Sequence, residues 1–159
     1  AATLDNFEQE AGKYRVLLLS MHGKASSRGG DLSYIAFSTS PDSAQNPFLY
    51  ARDLYAKSIP ADLVVLSACE TSVGAFRFGQ GVISLAKGFF QAGARSVAAT
   101  LWSVDDARNA ELIKLFFQHI KNGELKDEAL RKAKMEQRFA GQLRRAGADF
   151  HQRVGCRFE

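Results

Sequence analysis

Three continuous apolar runs of strand length constrain this chain more than anything else in it: Arg15-Val-Leu-Leu-Leu-Ser20, Asp62-Leu-Val-Val-Leu-Ser67 and Ser96-Val-Ala-Ala-Thr-Leu-Trp102. A strand wetted on one face alternates apolar and polar residues, whereas an unbroken apolar run belongs to a strand covered on both faces, the condition of a parallel sheet. Segments of helical period separate the runs. Residues 48–57 have helical spacing before the second run, and 80–91 form a helix stopped by Gly93 before the third. After the third, Asp105 or Asp106 can cap a helix whose buried stripe is Ile113, Phe116, Phe117 and Ile120, with Asn122-Gly123 ending it. Strand and helix in alternation predict an α/β fold with a mostly parallel central sheet flanked by helices. Around this frame, Leu4, Phe7 and Ala11 suggest a short helix ended by Gly12, and residues 32–38 alternate like a hairpin arm. A last helix from about Lys126 carries Leu130, Ala133, Phe139 and Leu143, and its pattern decays beyond Gly141 into a basic tail expected to be loosely held.

A length of 159 residues fits one domain, taken as residues 1–140 with the tail at 141–159. With 46 % apolar and 24 % charged residues, the chain can bury enough surface to offset its ordering entropy, which excludes wholesale disorder. No apolar run reaches the roughly 18 to 20 residues of a membrane span, so no membrane partner is expected. Residues 124–159 hold nine basic and six acidic residues, most of the excess behind the net charge of +4. Without aromatics interleaved among the arginines, a solvated basic helix describes this better than a nucleic-acid surface. Two cysteines, Cys69 and Cys156, make no disulfide framework, and a reducing, cytoplasmic compartment is expected.

His22, His119 and His151 do not fall at ligand spacing with either cysteine, so neither a metal site nor a cofactor is expected. Gly79-Gln-Gly81 lacks the further glycine of a dinucleotide loop and the lysine of a phosphate loop. What remains is His22 and Cys69, each just past the carboxyl end of an apolar run, which in a parallel sheet sets both at one rim. A thiolate is the nucleophilic form of cysteine, and a neighbouring imidazole can take its proton, so the pair suits acyl transfer. The amides of Gly23 and Cys69 would stand nearby as oxyanion donors. The plainer alternative keeps Cys69 as a small buried hydrophobe and His22 as a hydrogen-bonded loop residue.

Several motifs in order now resemble a known family. Leu18-Leu-Ser-Met-His-Gly23 resembles the histidine strand of the caspase clan, and the 47 residues from His22 to Cys69 are close to the roughly 50 of caspases. Leu66-Ser-Ala-Cys-Glu-Thr71, Gly79-Gln-Gly-Val-Ile-Ser-Leu-Ala86, Phe89-Phe-Gln-Ala-Gly-Ala94 and Leu101-Trp-Ser-Val-Asp-Asp106 resemble the CHAT domain, a caspase-like family often attached to tetratricopeptide repeats. The resemblance implies a three-layer caspase-like fold and a cysteine endopeptidase with His22 and Cys69 as catalytic residues acting on a polypeptide substrate. Similarity to separase, whose Trp-x-Val-x-Asp pattern matches 102–106, implies that Asp106, with Asp105 second, binds an arginine or lysine side chain at P1. It also implies regulatory partner domains such as tetratricopeptide repeats. Strands that usually flank the family's histidine strand and close its sheet are not visible, so a shortened sheet with an exposed edge, open to self-association, is expected. The competing expectation is an inactive or shortened CHAT module that serves protein–protein interaction or signalling.

Overall fold

The stretch around the first apolar run shows how sequence becomes architecture in the computed structural model, which describes residues 2–24, 26, 29–39, 46–67, 80–100 and 105–153, with backbone only for 80–84 and 142–153. Thr3 caps helix α1 (Leu4–Glu10) by accepting from the Asn6 amide, and the chain then tightens into a 3₁₀ turn over Ala11–Lys13. Strand β1 (Val16–Ser20) follows. It pairs in parallel with β5 (Leu63–Ser67), which in turn pairs in parallel with β6 (Val97–Ala99), giving the sheet order β1-β5-β6. All five residues of β5 are buried, as an unbroken apolar run requires. The Arg15 carbonyl accepts from the Leu63 amide, so the backbone groups of Arg15, Leu17 and Leu19 face β5 and those of Val16, Leu18 and Ser20 face the open edge.

A second, antiparallel sheet has the order β2-β3-β4, from β2 (Gly23–Lys24), β3 (Tyr34–Ala36) and β4 (Phe48–Tyr50). Here the structure departs from the helical reading of residues 48–57. Phe48 and Tyr50 instead extend so that their rings meet Tyr34 across the ladder, at centroid distances of 4.5 and 5.6 Å. Cross-strand aromatic contact outweighs the weak helical period of so short a segment. Only the remainder, Ala51–Ala56, is helical, and it is a 3₁₀ helix. The opposite face of this sheet sends Ile35 and Leu49 into the core, each 1 % exposed.

Helix α2 (Gln80–Gln91) has the predicted bounds. Its Leu85 and Phe89, with Ala92 just past its end, join Leu19, Val64, Leu66, Leu54 and Ile59 in one apolar cluster. Gly93, at φ +107°, turns the chain out of the helix: its amide donates to the Phe90 carbonyl and the Ala94 amide to that of Phe89, the paired bonds of a Schellman stop. The described residues up to 100 form one compact unit with this core, and those from 105 onward a second. In the second unit α3 (Asp106–Lys121) packs on α4 (Lys126–Arg153), burying Phe116, Ala129 and Ala133. The helix α4 continues through Gly141, past the point where its apolar pattern decays. Among the described residues no helix is long and apolar enough to cross a membrane. The mixed α/β architecture with a parallel three-stranded sheet and helices is the class read from the sequence.

Candidate active site

The rim where β1 and β5 end together is built by their register. Val16 stands opposite Leu63 and each following pair keeps step, so Ser20 is opposite Ser67 at the carboxyl ends of the two strands. In sequence, His22 comes two residues after Ser20 and Cys69 two residues after Ser67. Cys69 lies outside the described residues, as do all of 68–79.

His22 is exposed, while Met21 before it is half-buried and packs against the core. The chain bends here from one sheet into the other. The His22 carbonyl accepts from the Ala36 amide at 2.7 Å, and Gly23 stands opposite Ile35 in the β2–β3 ladder. Antiparallel ladders alternate hydrogen-bonded and non-hydrogen-bonded pairs. Since His22 and Ala36 form a bonded pair, Gly23 and Ile35 form an unbonded one, and the Gly23 N–H is directed away from β3. Strand β2 is at the end of its sheet, so that amide faces the sheet's outer edge.

Asp105 and Asp106 fall in the second unit. Asp105 is the N-cap of α3: its backbone is extended, and its carboxylate accepts from the Arg108 amide at 3.1 Å. Asp106 is exposed in the first helical turn. Among the described residues, no three His, Cys, Asp or Glu side chains converge in a way that could hold a metal ion.

Two clusters escaped the sequence reading. Asp31, Tyr55, Lys87 and Gln91 line an open recess of about 480 Å³, in which the Tyr55 hydroxyl donates to Asp31 at 2.7 Å. That hydrogen bond to a carboxylate, with lesser help from burial, raises the Tyr55 pKa. In the α3–α4 unit, His119 contacts Glu124 and Glu136, one through each ring nitrogen, both at 3.0 Å. Only the rotation of α4 about its axis brings Glu136 there, and no local motif records that rotation.

No curated protein matches this chain. A family model does: the CHAT domain, over residues 1–144. That match spans both units, takes in His22, Gly23, Cys69, Asp105 and Asp106, and identifies this chain as a member of the CHAT domain family, which is related to caspase-like peptidases.

Proposed function

We propose that this chain is a cysteine endopeptidase domain in which His22 is the general acid/base and Cys69 the nucleophile. The observation that carries the reading is the in-register end of β1 and β5, Ser20 against Ser67, with histidine and cysteine at equal sequence offsets beyond it. Side chains at the same offset from paired positions of parallel strands leave from one rim, where open α/β sheets bind ligands.

In the proposed reaction, His22 takes the Cys69 proton and the thiolate attacks the scissile carbonyl carbon, pushing its π electrons onto oxygen. The Gly23 N–H, directed off the β2–β3 ladder, and the Cys69 N–H are the donors assigned to that oxyanion. Collapse expels the amine, which leaves with the proton held by the imidazolium, and a thioester remains. His22 then removes a proton from water as the water attacks the thioester, and the second collapse returns the proton to sulfur and frees the acid. For a basic P1 side chain we assign Asp106, the acidic residue of the Trp-x-Val-x-Asp pattern at 102–106, with Asp105 second. A carboxylate there would make charge-assisted, bidentate bonds to arginine.

The test is incubation of the full chain with arginyl and lysyl peptide reporters. Cleavage by the parent chain that disappears in Cys69→Ala, and falls by about 10²- to 10⁴-fold in His22→Gln, is expected. Cleavage that survives in Cys69→Ala would overturn the assignment.

A second reading, an interaction module without catalysis, has its own observation. Tyr14, Val16 and Leu18 are 56 %, 46 % and 47 % exposed at the edge strand whose outward backbone groups meet no strand among the described residues. A bare apolar edge is a template for another chain's strand, here a second copy. Rapid iodoacetamide labelling of Cys69 near pH 6 would count for the enzyme, since only an activated thiol ionises there. A concentration-dependent dimer abolished by Leu18→Lys, with an inert Cys69, would count for the module.

A further inference from the structure

We propose that the α3–α4 hairpin is a proton-gated latch, closed while the His119 imidazolium donates to Glu124 and Glu136 together and loosened when it loses a proton. The geometry leaves little choice. Nδ1 stands 3.0 Å from Glu124 Oε1 and Nε2 stands 3.0 Å from Glu136 Oε1. A neutral imidazole has one N–H and one lone pair, so it can satisfy one carboxylate only by presenting the lone pair to the other. The doubly protonated ring satisfies both; its own side chain is 14 % exposed and that of Glu124 23 %, while Glu136 is 52 % exposed, so the mismatch of a neutral ring falls mainly on the Glu124 side.

The way the helix stops builds half of the latch. Gly123, at φ +85°, ends α3: its amide donates to the Ile120 carbonyl, and the Glu124 amide donates to the His119 carbonyl at 3.2 Å. His119 and Glu124 therefore occupy the two positions of a Schellman stop whose side chains normally make an apolar contact. Here that contact is ionic. The C-terminal end of the helix dipole further favours a cation at His119.

Helix α4 supplies the other half, and it grips α3 twice. Glu136 holds His119 in the last turn of α3, and the adjacent Gln137 donates its side-chain N–H to the Arg108 carbonyl in the first turn. The charged groups facing the imidazole are Glu124 from the connection and Glu136 from α4. Lys132 of α4 lies 3.1 Å from Glu124 Oε2, and Arg131, ion-paired with Glu128, also feels the Glu124 charge. The Lys132 ammonium is an ion-pair partner of Glu124 Oε2 without the angles of a hydrogen bond, so that buried oxygen depends on the charge of its neighbours. Hydrogen bonding to Glu124 is the main cause that raises the His119 pKa above its ordinary 6.5, against an opposing contribution from burial. Hydrogen bonding to His119, and then the neighbouring Lys132 ammonium, lowers that of Glu124 from 4.5.

A raised folded-state pKa contributes stability that is complete below about 6.5 and lost as pH rises through the folded value. The latch therefore opens toward alkaline pH, and as it opens α4 releases its hold on the last turn of α3, while the Gln137 bond to the Arg108 carbonyl carries no titrating group.

Imidazole nitrogen NMR of the full chain, with His119 assigned by its loss in His119→Gln, tests this together with amide exchange in α3 and α4 between pH 5.5 and 8.5. His119 is expected to titrate above 6.5, and Glu136→Gln to bring its midpoint down. Exchange in α3 and α4, corrected for the tenfold rise in intrinsic rate per pH unit, should quicken through that midpoint in the parent chain and stay flat in His119→Gln. Titration at or below 6.5, or corrected exchange that is flat across the range in the parent chain, would overturn the latch.

Discussion

At the scale of single residues, Asp105 has a structural task as the α3 cap and Asp106 is the residue proposed at P1. Asp105→Ala removes the acceptor for the Arg108 amide and is expected to cost about 1 kcal/mol in urea denaturation, whereas Asp105→Asn, an equally good cap, should change little. Asp106→Asn is expected to lower cleavage of arginyl reporters selectively, leaving reporters without a basic P1 side chain unchanged. Gly88 is a different kind of position. A Cβ there would come within 2.8 Å of Leu54 Cδ1 and 3.0 Å of the Ala51 carbonyl oxygen, so Gly88→Ala is expected to cost about 1 to 3 kcal/mol by overpacking. Sequence reasoning found both aspartates as candidate caps but could not separate them, because the choice rests on where the backbone leaves the extended region, at Asp105. Gly88 passed unnoticed, since its reason is a neighbour 34 positions away in the chain. His22 and Gly23 stood out because a chemically distinctive pair follows an apolar run directly.

Elements were legible where one strong period dictated them. Strand β5 follows from its unbroken apolar run and is buried throughout. Strand β1 forms from the same kind of run but, at the end of the sheet order, leaves Val16 and Leu18 exposed rather than covered on both faces. Helix α2 follows from a stripe and a left-handed glycine stop that are both written locally. The β4 segment was not, because its fate depends on Tyr34, a residue that only folding brings near. The aromatic trio predicts a modest but separable contribution: Tyr34→Leu keeps apolar bulk yet should lose about 0.5 to 1.5 kcal/mol of aromatic pairing. A larger effect belongs to α2. Phe89 is fully buried in the core cluster, and Phe89→Ala is expected to cost about 3 to 5 kcal/mol, read as a lowered urea midpoint with an unchanged slope.

For the molecule as a whole, the family match runs from residue 1 to 144, well into α4, so the α3–α4 unit is part of the family domain rather than an appendage to it. Acid should act on this unit through Glu124. A lowered folded-state pKa contributes stability that is present above about 4.5 and lost as pH falls through the folded value. Together with His119 this sets a stability plateau between roughly pH 4.5 and 6.5, checked by thermal melts across pH 3 to 9, with Glu124→Gln expected to flatten both shoulders.

Alternation in the short β2–β3 ladder also works as a parity check on the whole proposal. Were the two strands to slip by one position, the Gly23 amide would turn inward to a carbonyl of β3 and the Lys24 amide would take its place outside. The same slip would carry Lys24 to the face where Gly23 is now buried. Phase and burial are thus enforced together: the ladder cannot misplace its outward donor without also pressing a charge against the interior.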